Sequence, residues 1–199
     1  MERKGDWMLT YTGKQFWPFD PHPEEVYIED IAHALSNKCR FNGQSIPFYS
    51  VAQHSVLVSR IVIPEQKLPA LLHDAAEAYS GDMIDPVKRH LEERLQKIIN
   101  KFKNYPGFQK CIKELEEIIL IEKKIQKVIF EHFGIENYNR EIIHKADKRL
   151  CVTEKRNIMA KSPLEWKVER DYKPLDKKII PLYPIEAEEL FLKTYNQLK

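Results

Sequence analysis

Between residues 108 and 133 the apolar side chains recur at helical spacing. Ile112, Leu115, Ile119, Ile125, Val128, Ile129 and Phe133 fall on one face, and Gly134 follows as a C-terminal cap. A segment this long with a helical period forms a helix whose apolar face must be covered by other elements. A second long helix is expected over 139–160, where Ile143, Ala146, Asp147 and Leu150 stand at i, i+3, i+4 and i+7. Further helices are expected over 29–38, with Ile31, Ala34 and Leu35 on one face, over 50–62, over 67–80, from about Pro86 onward, and over 185–198. Extended structure is expected only near the start. The stretch from Trp7 to Trp17 reads as a short hairpin turning near Thr12-Gly13, ended by the prolines at 18, 21 and 23. The expected fold is therefore all-α, a helical bundle with a minor N-terminal β-hairpin. It occupies one domain over 1–199, with an irregular segment over 1–28.

The 199 residues suffice to bury a sizeable core, and 43% hydrophobic with 31% charged residues is a globular composition. A net charge of +2 gives no reason to expect a nucleic acid polymer or a membrane surface as partner. Cys39, Cys111 and Cys151 form no CxxC pair. With no apolar run near membrane-span length and no apolar signal core after the first residues, a cytoplasmic location is expected.

The segment Ala70-Leu71-Leu72-His73-Asp74-Ala75-Ala76-Glu77 sets an imidazole beside a carboxylate in an apolar, alanine-rich run. Burying either without a partner costs a few kcal/mol, about 1–3 on mutational scales. One metal ion could satisfy both. Ser50 is suited to cap a helix that carries His54 among small and apolar residues, and Asp147 lies on the apolar stripe of the 139–160 helix. A single inward His is usually a hydrogen-bonded core residue, and an Asp on such a stripe is usually a cap or an ion-pair partner. Together, however, these residues make a mixed nitrogen and oxygen ligand set. That set suits a divalent ion with positions left open (Mn, Co, Mg, Fe or Zn), and it offers no thiolate for a structural zinc site.

On a continuous helix His73 and Glu77 share a face, while Asp74 is rotated by about 100° from His73. Glu77 then lies one turn from the ion, where a general acid or base belongs; its plain alternative is a surface carboxylate paired with a lysine. Asp82, taken alone, reads as the N-cap of the next helix. Arg40 and Lys88 are candidate contacts for an anion. A divalent ion, basic groups and a carboxylate together suit metal-assisted hydrolysis of a phosphate ester.

The chain resembles the HD-domain phosphohydrolases, whose motif runs H…HD…D. His54, His73–Asp74 and Asp147 match it in order. Ser50-Val51-Ala52-Gln53-His54-Ser55, Leu72-His73-Asp74-Ala75-Ala76-Glu77-Ala78-Tyr79-Ser80-Gly81-Asp82-Met83, Asp85-Pro86-Val87-Lys88 and Lys145-Ala146-Asp147 look most like bacterial 5′-deoxynucleotidases and phage deoxynucleoside triphosphohydrolases. The resemblance implies that His54, His73, Asp74 and Asp147 hold the metal. It implies Glu77 as the catalytic carboxylate, Asp82 as a second acid near the attacking water, and Arg40 and Lys88 as holders of phosphate. Phe41 stands where the deoxynucleotidases place a tryptophan against the sugar, and Gln44 where many relatives have a histidine. The expected substrate is a small nucleotide, and relatives of this kind form homo-oligomers. The alternatives are a catalytically inactive nucleotide-binding module on the same scaffold, or a hydrolase of (p)ppGpp or another phosphate ester. A purely structural helical protein would leave the ligand set unexplained.

Overall fold

The computed structural model describes residues 3–199; Met1 and Glu2, the start of the irregular segment, lie outside it. The expected hairpin is formed by β1 (Met8–Leu9) and β2 (Gln15–Phe16), antiparallel, with Met8 opposite Phe16 and Leu9 opposite Gln15. Gly13 sits in its turn at φ 77° and donates its N–H to the Thr10 carbonyl at 3.0 Å. The other regular elements are helical, so the all-α class with a minor N-terminal hairpin holds for the described residues.

Nine helices follow the hairpin among those residues: α1 (Ile28–Asn37), α2 (Val51–Ser59), α3 (Lys67–Leu71), α4 (Glu77–Ser80), α5 (Asp85–Phe102), α6 (Gln109–His132), α7 (Arg140–Ile158), α8 (Val168–Asp171) and α9 (Pro184–Leu198). Their ends follow local chemistry. Ser50 Oγ accepts the Gln53 N–H at the start of α2, and Asn139 Oδ1 accepts those of Glu141 and Ile142 at the start of α7. Gly134 closes α6 at φ 65°, beside a hydrogen bond from Ile135 N to the Phe130 carbonyl.

α2 is the centre of the bundle and packs against α1, α3, α7 and α9. Eight of its nine residues are buried, leaving only Leu57 partly exposed. A helix covered on all sides belongs to the core, so the polar groups it carries, Gln53 and His54 among them, must find partners inside. The main apolar cluster joins Ile31 and Leu35 of α1, Val56 of α2, Ile125 and Ile129 of α6, and Phe191 of α9. Truncating Phe191, which is fully buried, to alanine would cost about 3–5 kcal/mol. The hairpin joins this cluster through Phe16, whose ring stacks on Tyr79 of α4 at 3.7 Å.

Two expectations are corrected here. The helix expected over 67–80 is not continuous. α3 stops at Leu71, and α4 restarts at Glu77 after a run of tight turns. Across that run Ala75 and Glu77 donate to the carbonyls three residues back, Leu72 and Asp74. His73 and Asp74 therefore lie in the break and not on a helix face. Asp82 is not an N-cap: Ile84 occupies the cap of α5, with Pro86 in the first turn and no side-chain cap bond.

Candidate metal centre

His54 of α2 is fully buried. Its Nδ1 lies 2.6 Å from Glu154 Oε1, a carboxylate that is also fully buried and that accepts the Tyr49 hydroxyl at 2.8 Å. The other ring nitrogen, Nε2, has no hydrogen-bond partner. It faces Asp147 Oδ1 at 3.3 Å and Asp74 Oδ2 at 3.7 Å. His73 repeats the pattern. Its Nδ1 meets the Ala70 carbonyl at 2.8 Å, while its Nε2 is buried without a hydrogen-bond partner, 3.2 Å from the same Asp74 Oδ2. Two imidazoles fixed through Nδ1 with Nε2 left over is the usual arrangement of metal-binding histidines. One ligand atom from each of His54, His73 and Asp74 lies within 4.8 Å of the others, so these three can hold a metal ion. Asp147 joins the group through His54.

The charges around this group are tightly balanced. Burial and Arg40 pull the His54 pKa down, but Glu154 and Asp147 outweigh them and hold it up at about 9. Burial opposes ionisation of Asp147 as well, yet His54 and Lys148 keep its carboxyl well below the ordinary range. Glu154 is likewise kept ionised against burial by Arg40 and His54. The Arg40 side chain spans the group. Its Nη1 is 3.6 Å from Asp74 Oδ2 and its Nε is 3.4 Å from Glu154 Oε2.

The remaining candidates fall into two sets. Glu77 and Asp82 belong to the electrostatic neighbourhood of Asp74. Burial first, then Asp74 and Asp82, push the Glu77 carboxyl up to about 10, and its Oε2 is buried without a hydrogen-bond partner. Burial and Asp74 also raise Asp82. Phe41 lies next to Arg40, whose guanidinium is 5.4 Å above the Phe41 ring. Phe41 and Asn42 both take positive φ, 54° and 53°, in the turn Arg40–Gly43. Such left-handed backbone costs non-glycine residues about 1–3 kcal/mol and collects at binding sites. Lys88 is set apart. Its ammonium is taken by Glu122 at 2.7 and 2.5 Å.

Sequence reasoning passed over Glu154, Tyr49 and Lys148. Glu154 was within reach, because it lies seven residues beyond Asp147 and so on the same face of α7. Lys148 Nζ lies 3.2 Å from Asp147 Oδ2 and 3.8 Å from Asp85 Oδ2, a contact that depends on where α5 starts.

Fold and site define an all-α protein with a His–His–Asp group, His54 buried and His73 and Asp74 partly buried, able to hold a metal ion. No helix among the described residues is long and apolar enough to cross a membrane. No family model matches the sequence. Over 190 residues it is 33% identical to the uncharacterized protein YfdR of Escherichia coli, which covers 95% of this chain and 93% of that one. Over 94 residues it is 45% identical to the uncharacterized protein RCAP_rcc00048 of Rhodobacter capsulatus, covering 43% of this chain and 48% of that one. The chain belongs to the same family as YfdR.

Proposed function

We propose that this protein is a divalent-metal-dependent phosphohydrolase of the HD superfamily that cleaves phosphate from a nucleotide, with deoxynucleotides as the leading substrates. The observation that carries this reading is the pair of buried, unpartnered Nε2 atoms of His54 and His73 around the Asp74 carboxylate. On this reading His54, His73, Asp74 and Asp147 hold one ion from the set Mn, Co, Mg, Fe or Zn. When bound, the ion would make a water more acidic and offset the negative charge that builds on the phosphoryl oxygens.

The chain's own groups supply the rest. Arg40, already against Asp74, offers a planar fork to the phosphate oxygens. Asp82 takes a proton from the water that attacks phosphorus. Glu77, kept neutral by burial and by its two acidic neighbours, gives a proton to the ester oxygen that leaves. The P–O ester bond breaks as the new P–O bond forms. Phe41 packs against the sugar, and Lys88 reaches phosphate by exchanging Glu122 for it. The three free cysteines fit a reducing, cytoplasmic setting, and the working form on this reading is a homo-oligomer.

The test is product analysis. Chelator-stripped protein with Mn²⁺ or Co²⁺ added back is incubated with each deoxy- and ribonucleoside mono- and triphosphate. Metal-dependent release of nucleoside from monophosphates marks a 5′-nucleotidase, and triphosphate or successive phosphates from triphosphates mark a triphosphohydrolase. No turnover by metal-loaded protein would refute a nucleotide phosphohydrolase and leave the binding-module reading.

A further inference from the structure

The break between α3 and α4 has a specific cause in another helix. In a continuous α-helix the Ala76 N–H would donate to the Leu72 carbonyl. Gln126 of α6 instead bonds both groups with one side chain, the Leu72 carbonyl also accepting the Ala75 N–H at 3.1 Å. Gln126 Oε1 accepts the Ala76 N–H at 3.1 Å, and Gln126 Nε2 donates to the Leu72 carbonyl at 2.8 Å. The amide is thus inserted into a single i to i−4 hydrogen bond, satisfying each half of it. Insertion of a side chain into the helical ladder is a recognised source of sharp helix distortion.

The inserted bond encloses His73, Asp74 and Ala75. An unbroken helix would use the Ala70 carbonyl for the Asp74 amide, and here that carbonyl takes the His73 ring through Nδ1 at 2.8 Å. The ring is thereby turned so that its Nε2 lies 3.2 Å from Asp74 Oδ2. We propose that Gln126 is a positioning residue for the metal centre: its amide holds the 72–76 turn open, and the open turn presents His73 and Asp74 to one ion. The hydrogen bonds of Gln126 go to backbone atoms, so it acts on the ligands through the backbone. The proposal rests on the metal-site reading given above.

The substitution that isolates this role is Gln126→Met. It keeps the length of the side chain, removes both hydrogen bonds and frees Ala76 N–H and the Leu72 carbonyl to close the helix. Gln66→Met serves as a comparison, since Gln66 Oε1 also accepts a backbone N–H, that of Asn139 at 2.6 Å, away from the break. Mn²⁺ affinity of the stripped proteins is measured by titration, the Co²⁺ absorption spectrum reports ligand geometry, and thermal unfolding reports stability. Gln126→Met is expected to weaken Mn²⁺ binding about tenfold or more, the scale seen when groups supporting metal ligands are removed, and to alter the Co²⁺ spectrum. Gln66→Met is expected to lower stability with metal affinity and spectrum unchanged. Wild-type affinity and spectrum in folded Gln126→Met overturn the proposal and leave the metal site standing. If Gln126→Met does not fold, Gln126→Ala, which also removes both hydrogen bonds, decides: wild-type Mn²⁺ affinity and Co²⁺ spectrum in that variant overturn the proposal. Wild-type protein that binds neither ion removes the site and the proposal with it.

Discussion

His54 Nδ1 and Glu154 Oε1 stand 2.6 Å apart, and neither residue is exposed to solvent. This pair joins the central helix of the bundle to α7 and fixes which nitrogen of His54 remains for a ligand. The same carboxylate also meets Arg40 and Tyr49, so three side chains depend on it. Glu154→Ala is expected to destabilise the protein by about 3–5 kcal/mol, because it strands buried charge. Urea unfolding reads this directly. A loss below 1 kcal/mol would mean that the carboxylate does not organise the site.

Metal binding should release protons. His54 in the stripped protein is held at about 9, above its ordinary 6.5, so it carries a proton at pH 7 that an ion must displace. The extra stability from protonated His54 is complete below pH 6.5 and fades as the pH rises through about 9. Apparent Mn²⁺ affinity should therefore climb between pH 6.5 and 9 while the stability of the stripped protein declines. Calorimetric titration in buffers of different ionisation enthalpy counts the protons, and zero release at pH 7 would contradict this charge balance.

Glu77→Gln should separate chemistry from binding. The amide has the shape of the neutral carboxyl that burial, Asp74 and Asp82 favour, so fold and metal affinity should change little. It cannot give up a proton, so hydrolysis should fall by about 10²–10⁴-fold. Steady-state rates beside Mn²⁺ titration measure both, and a rate near wild type would remove Glu77 from proton transfer.

The cysteines should differ in reactivity. Burial first, then Glu154, pushes the Cys151 thiol up to about 12, whereas Cys111 is exposed on α6. At pH 8 iodoacetamide should label Cys111 and spare Cys151 in the folded protein. Peptide mapping reads the sites, and equal labelling would show that the α7 side of the site opens to solvent.

The long helices α6 and α7 were legible because each shows an apolar stripe, with Gly134 marking the end of α6; the short α2 was legible from its Ser50 cap. The residues gathered around Asp74 were legible for the opposite reason: His54 and Asp147 are polar groups where the pattern demands apolar ones. What local pattern could not show was anything set by a distant partner. The alanine-rich run 70–77 reads as helix, and it breaks because Gln126 arrives from 50 residues away. Lys88 reads as a free cation beside a phosphate site, and it meets Glu122 only once α5 and α6 pack together.

The most direct test of the central claim is calorimetric titration of Mn²⁺ into chelator-stripped wild-type protein and into Asp74→Ala. Asp74 Oδ2 is the atom that both orphan imidazole nitrogens approach. The wild type is expected to bind one ion per chain and the variant to show no measurable binding. Binding that survives Asp74→Ala unchanged, or a wild-type protein that takes up no divalent ion, would contradict it.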